Sequence, residues 1–148
     1  MPVATPEAQL QTIRTLFDAF ASLDRDAFAN RLTEDVVFRP SAFVTGKAEF
    51  HGREEVRQNL AELKQQLADT GEQVLLNPVS VYVDEDDENT ILALAVLTIV
   101  RPSGESYDTE MAYLHTMEGD KVAELRTWPD HAEGLRQLTS PQEAILPS

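Results

Sequence analysis

With 148 residues, 42% of them hydrophobic, 6 glycines and 8 prolines, the chain has the size and composition of one globular domain, not of a disordered, collagenous or repeat-built protein. Twelve basic against 26 acidic residues leave a formal net charge of -14, which repels phosphate backbones and anionic lipid and argues against nucleic-acid and membrane partners. No cysteine is present, so thiol nucleophiles, thiolate metal sites and disulfides are excluded.

The opening MPVATPEAQL lacks a basic segment followed by an apolar run, and the longest apolar stretch, Ile91 to Val100, is about half a membrane span; a soluble, cytoplasmic protein is the default expectation. Thr5-Pro6-Glu7 is a helix start, and Leu10, Ile13, Leu16, Phe17 and Phe20 recur on one helical face. Asp24 can cap a short second helix carrying Phe28 and Leu32, which gives way near Thr33 to the extended run Val36-Val37-Phe38 before Pro40. After Gly52, Val56, Leu60, Leu63 and Leu67 mark a third amphipathic helix.

Beyond Gly71 the texture turns to strands: Val74 to Val83, Ile91 to Val100, Ser106 to Met117 and Val122 to Trp128, separated by the turn compositions DEDDEN, RPSG and EGD. Helices first and strands later mean an α+β fold. Ile91 to Val100 is apolar on both sides, which predicts a central strand with neither face in water. The tail after Leu138 is expected to be loosely held, and DEDDEN to be a solvated hairpin tip without the glycine and alternation of a calcium loop.

Three helices followed by a long meander, with GREEV opening the third helix and GDKVAELRTWPDHAEGLRQL near the end, resemble the SnoaL-like branch of the nuclear transport factor 2-like superfamily over residues 6–138. The resemblance implies a single domain over 1–148. Its architecture is a cone-shaped barrel of three N-terminal helices packed on a strongly curved, mostly antiparallel sheet (cystatin-like), with a cavity between helices and sheet. Asp130, followed by Leu135, Arg136, Gln137 and Leu138, is similar to the end of the polyketide cyclase subfamily, where such an aspartate is a general acid/base. Two other reactions of the superfamily are disfavoured. The position of the ketosteroid isomerase base reads Arg39, its oxyanion tyrosine falls on Leu16 and its protonated aspartate near Tyr113. The last aspartate of the limonene epoxide hydrolase set falls on Thr127.

Along the third strand, Met111, Tyr113, His115 and Met117 share one face and Glu110, Ala112, Leu114 and Thr116 the other. Aligning on Lys121 puts the Tyr113/His115 set in the cavity with Leu125 and Thr127; a one-residue change of register would promote Glu110 instead. The candidate catalytic set is Asp130, His115 and Tyr113, since an imidazole and a carboxylate in an apolar cavity can relay a proton. The structural alternatives are an N-cap for Asp130 and a backbone-bonded strand histidine for His115. Candidate ligand-binding residues are Phe17, Phe20, Phe38, Phe43, Met111, Leu125, Thr127 and Arg39, the last poised to hold a ligand oxygen or else paired with Glu34 or Asp35.

His51 and His131 receive no role. The three histidines lack ligand spacing, so no metal or other cofactor is expected. These readings predict a protein that binds a small, largely apolar organic molecule and performs cofactor-independent isomerisation, cyclisation or dehydration; the alternative is a non-catalytic ligand-binding or assembly module. A homodimer built on the outer sheet face would cover the apolar central strand.

Overall fold

The computed structural model describes residues 6–40 and 49–147. The N-terminal part is helical: α1 spans Pro6–Ser22, α2 Arg25–Ala29 and, after strands β1 (Leu32–Arg39) and β2 (Phe50–His51), α3 spans Arg53–Thr70. The remainder comprises β3 (Gln73–Asp84), β4 (Asp87–Val100), β5 (Ser106–Glu118), β6 (Lys121–Trp128), α4 (His131–Leu135) and β7 (Pro141–Ala144). Among the described residues the strands form one sheet in the order β2-β1-β6-β5-β4-β3-β7. β1 runs parallel to β6, and the other neighbours are antiparallel. The α+β architecture expected from the order of elements is therefore present, with β4 inside the sheet between β3 and β5.

The apolar stripe of α1 buries Ile13, Leu16 and Phe17 against the concave side of the sheet. Two polar residues on the same helix orient it: the Gln9 amide donates to the Gly119 carbonyl (3.0 Å) and the Thr12 hydroxyl to the Asp120 carbonyl (2.5 Å), both in the β5–β6 turn. Asp24 caps α2 by accepting the Ala27 N–H at 3.1 Å. That helix ends at Ala29, so Leu32 belongs to β1 rather than to the helix. The Val122 N–H donates to the Arg31 carbonyl (2.9 Å), and this pairing with β6 outweighs the local helical spacing. In α3 only Val56 and Leu60 are buried. The helix stops at Gly71, whose left-handed φ of 74° lets its N–H reach the Leu67 carbonyl at 2.9 Å.

The C-terminal residues depart most from expectation. DEDDEN is the tip of the β3–β4 hairpin as expected, with residues 85–89 exposed, but the Asp84 side chain is buried, not solvated. Its carboxylate accepts the N–H groups of Thr139 (3.0 Å), Ser140 (3.1 Å) and Asp86 (3.0 Å), chief among them the Thr139 bond, and its pKa is held below the ordinary carboxylate value. The tail is thereby delivered to the sheet, where β7 pairs with Val81 to Asp84 of β3. It is a seventh strand rather than a loose end.

The same C-terminal stretch covers the outer face of the sheet. Leu92, Leu94, Ala112 and Leu114 are buried there beneath Leu135 and Leu138, with Tyr82 and Trp128 packed alongside. Gly134 makes the approach close: a Cβ built at this position would lie 2.4 Å from the Cβ of Ala112 and 3.2 Å from Leu92. Over Leu92 and Leu94 the outer face of β4 is thus covered by α4 and Leu138 of the same chain, while Val96, Thr98 and Val100 further along the strand are only partly buried.

Candidate functional site

The inner side of the sheet is less completely filled. Between α1, α3 and the concave strands lie three adjoining cavities. The largest, about 260 Å³, lies beneath the C-terminal half of α3, with Leu63, Leu67, Val74, Leu97 and Ile99 as walls and Gln66, Thr70 and Glu72 among its lining residues. The second, about 50 Å³, includes Asn59, Met111, Tyr113 and Thr127; the third, about 60 Å³, includes Phe17, Phe38, Leu125 and His115. Phe20 borders all of them.

Strand register decides which β5 residues face this space. Tyr113 pairs with Thr127 and His115 with Leu125, so the inward set is the one that alignment on Lys121 anticipates. Glu110 faces outward and accepts the His131 N–H at 3.0 Å, which removes the alternative register.

His115 is 3% exposed. Its Nδ1 lies 3.1 Å from the Ile91 carbonyl, an acceptor only, so Nδ1 carries the proton and Nε2 the lone pair. Burial drives the imidazole pKa down to about 4, against smaller opposing contributions from the Ile91 and Tyr113 carbonyls. The ring is neutral across the physiological range. Tyr113 meets Phe17 edge-on, with ring centroids 6.0 Å apart at 89°. Burial pushes the phenol pKa up and keeps it a proton donor. Its hydroxyl makes no hydrogen bond among the described residues.

Asp130 stands elsewhere. It is exposed, in extended conformation at the start of α4, and its carboxylate accepts the N–H groups of Ala132 (2.8 Å) and Glu133 (3.4 Å). It is a helix cap and does not join His115 in the cavity. Arg39 is also turned away: β1 directs Phe38 inward, and the guanidinium pairs with Glu124 (3.2 Å) and Glu49 (3.7 Å), not with Glu34 or Asp35. Thr127 lines the cavity, but its hydroxyl is engaged by the Arg39 carbonyl at 3.0 Å. Phe43 lies outside the described residues.

Two residues carry roles that sequence reasoning missed. Asn59 is a polar side chain on the inner face of α3. It falls three residues after Val56 and four before Leu63, so a lone amide on an apolar stripe was the available signal. His131 donates from Nε2 to the Ala95 carbonyl at 2.8 Å, where Pro78, opposite Ala95 in β3, has no N–H to offer. No local pattern marks that contact. Among the described residues no group of three or more histidine, aspartate or glutamate side chains is placed to hold a metal ion, and no helix is long and apolar enough to cross a membrane.

A sequence family described as the SnoaL-like domain matches residues 13–125, from within α1 to Leu125 in β6, which takes in every cavity-lining residue named above except Thr127. The chain belongs to this family. Solved structures carry the same fold as this SnoaL-like domain. A nuclear transport factor 2-like protein of Burkholderia pseudomallei K96243 is 20% identical, with a TM-score of 0.65 over 90% of this chain and 98% of its own. A protein provisionally assigned as a polyketide cyclase, from Sinorhizobium meliloti, is 18% identical (TM-score 0.62, 79% and 93% covered). TerC, co-crystallised with polyporic acid, is 14% identical (TM-score 0.68, 88% and 97% covered). No curated protein matches the sequence. At these identities the neighbours establish the fold of the SnoaL-like domain and leave its chemistry to its own residues.

Proposed function

We propose that this SnoaL-like domain binds a small, largely apolar organic molecule in the inner cavities and moves a proton on it without a cofactor, with His115 as base and the Tyr113 hydroxyl as hydrogen-bond donor. The observation that carries the reading is the state of His115. Its Nδ1–H is fixed on the Ile91 carbonyl, its Nε2 lone pair is basic, and its pKa of about 4 gives a base of carboxylate strength without a carboxylate's charge. A neutral base in an apolar wall avoids the cost of an unpaired buried anion. Tyr113, two residues away on the same face of β5, and Asn59 across the middle cavity supply the polar contacts that orient a ligand. Crystallisation of TerC with polyporic acid supports the use of this fold for organic ligands.

Exchange of the methyl-ketone hydrogens of 2-acetonaphthone in D2O, followed by NMR, tests both halves of the reading. The wild type should bind the ketone and accelerate exchange, and His115→Gln should lose about 100-fold of that acceleration while still binding. Because His115 is already neutral above its pKa of about 4, the His115-dependent rate should be flat between pH 5.5 and pH 8. A ketone that does not bind would remove the reading altogether. Binding with no acceleration would select the non-catalytic alternative, which the position of Asp130 on the outside favours.

A further inference from the structure

Phe20 is the one side chain among the described residues that borders all three inner cavities. The α3 cavity and the middle cavity share Leu63 and Leu97 as well, and the middle and His115 cavities share Phe28, Phe38 and Tyr113. The three therefore lie in sequence, with Phe20 at both junctions. A molecule reaching from the α3 cavity to His115 has to pass its ring. Phe20 is half-buried and has no ring-stacking partner among the described residues, whereas Phe17 is held against Tyr113 and Phe38 against Phe50. A ring can change rotamer without moving its helix, so a partition made of one side chain opens more readily than one made of backbone.

We propose that Phe20 is the length-determining residue of the ligand site: it divides the interior so that only a compact group of the ligand reaches His115 while the bulk stays in the larger cavity beneath α3. The volumes fit this division, about 60 Å³ beside His115 against about 260 Å³ beneath α3. The proposal rests on the reading of the cavities as a ligand site. It adds which residue sets the size of what enters.

Acetophenone, 2-acetonaphthone and 2-acetylanthracene carry the same methyl ketone on successively longer ring systems. Each is titrated into wild type, Phe20→Ala, Phe20→Leu and Phe20→Trp while the His115 Cε1–H resonance and the Ile99 methyl resonances are followed by NMR. Phe20→Ala should gain about tenfold in affinity for the three-ring ketone relative to acetophenone. Phe20→Leu should shift the preference in the same direction by less, which keeps the test open if the alanine variant does not fold. In Phe20→Trp the ketones should still shift Ile99 but no longer His115. A length preference that is the same in wild type and Phe20→Leu, or a His115 shift undiminished in Phe20→Trp, overturns the proposal and leaves the ligand site standing. If none of the ketones shifts any resonance of the wild type, the ligand-site reading fails and this proposal with it.

Discussion

The two faces of β4 are both apolar, yet they are covered in different ways. On the outer face Leu92 and Leu94 lie under α4, a helix of 5 residues that follows the sheet closely enough for Gly134 to touch Ala112. On the inner face Ile91, Ala93, Ala95 and Leu97 look toward α1 and α3, helices of 17 and 18 residues. A long straight helix cannot follow a twisted sheet along its whole length, and the largest residual volume lies over Leu97 and Ile99 near the end of β4. Close packing on one side and residual volume on the other separate what holds the fold together from what can admit a ligand.

The largest expected effect belongs to the inner face. The folded-state pKa of His115 lies below the unfolded value of 6.5, so its neutral form is the one that folding favours. Its contribution to stability is fully present above pH 6.5 and is lost as pH falls toward 4, by roughly 3 kcal/mol at the limit. Urea unfolding of wild type and His115→Gln between pH 7 and pH 4 should show the wild type losing more stability than the variant; parallel losses would mean that the imidazole is not buried and neutral.

On the outer face, Gly134→Ala should cost about 2 kcal/mol, because the added methyl meets Ala112 before any flexible side-chain end can yield. An unchanged midpoint in thermal or urea unfolding would mean that α4 rests more loosely than the comparison requires.

Asp130 tests whether the division between faces is clean. Asp130→Ala removes a cap and should cost about 1 kcal/mol, Asp130→Asn should cost less, and neither should alter ketone binding or exchange. A wild-type advantage that disappears together with ketone exchange would return Asp130 to the site.

The smallest global effect is expected at the tail. Asp84→Asn should speed amide hydrogen exchange at Thr139 and Ser140 while leaving β4 and β5 protected. Because the folded-state pKa of Asp84 is lowered, its contribution is present above the unfolded value of 3.8 and is lost as pH falls below it. Tail protection in the wild type should therefore weaken in acid, and equal protection at pH 3 and pH 6 would contradict the role given to the carboxylate.

Much of the architecture could be read locally. Helical spacing in α1 and α3 and alternation along β5 group the residues that share a face, while the β5–β6 pairing that brings Tyr113 and His115 inward includes a one-residue register shift between Thr116 and Met117, beyond the EGD turn. Asp130 shows where such reading stops. An aspartate before HAEGL has the same local sequence whether it caps the helix or faces a cavity, and only the packing of Gly134 on Ala112, which places α4 on the outer face, decides between them. Arg39 illustrates the same point, since Glu124 is brought to it by β1 lying beside β6, a parallel pairing with no local sequence signal, and Glu49 by the β1–β2 pairing.

The sequence by itself determined the α+β order, the apolar stripes and the central place of β4, because each depends on the pattern within single elements and on their order along the chain, whereas pairing with β6 decided which face of β5 turns inward. Tertiary structure alone decided that Leu32 pairs in a strand, that Asp84 anchors the tail, that α4 packs on the outer face and that Asn59 and Tyr113 line one cavity beside Phe20. Each of those depends on which residues distant in the chain are brought within a few ångströms, and that distance is set by how the elements pack together.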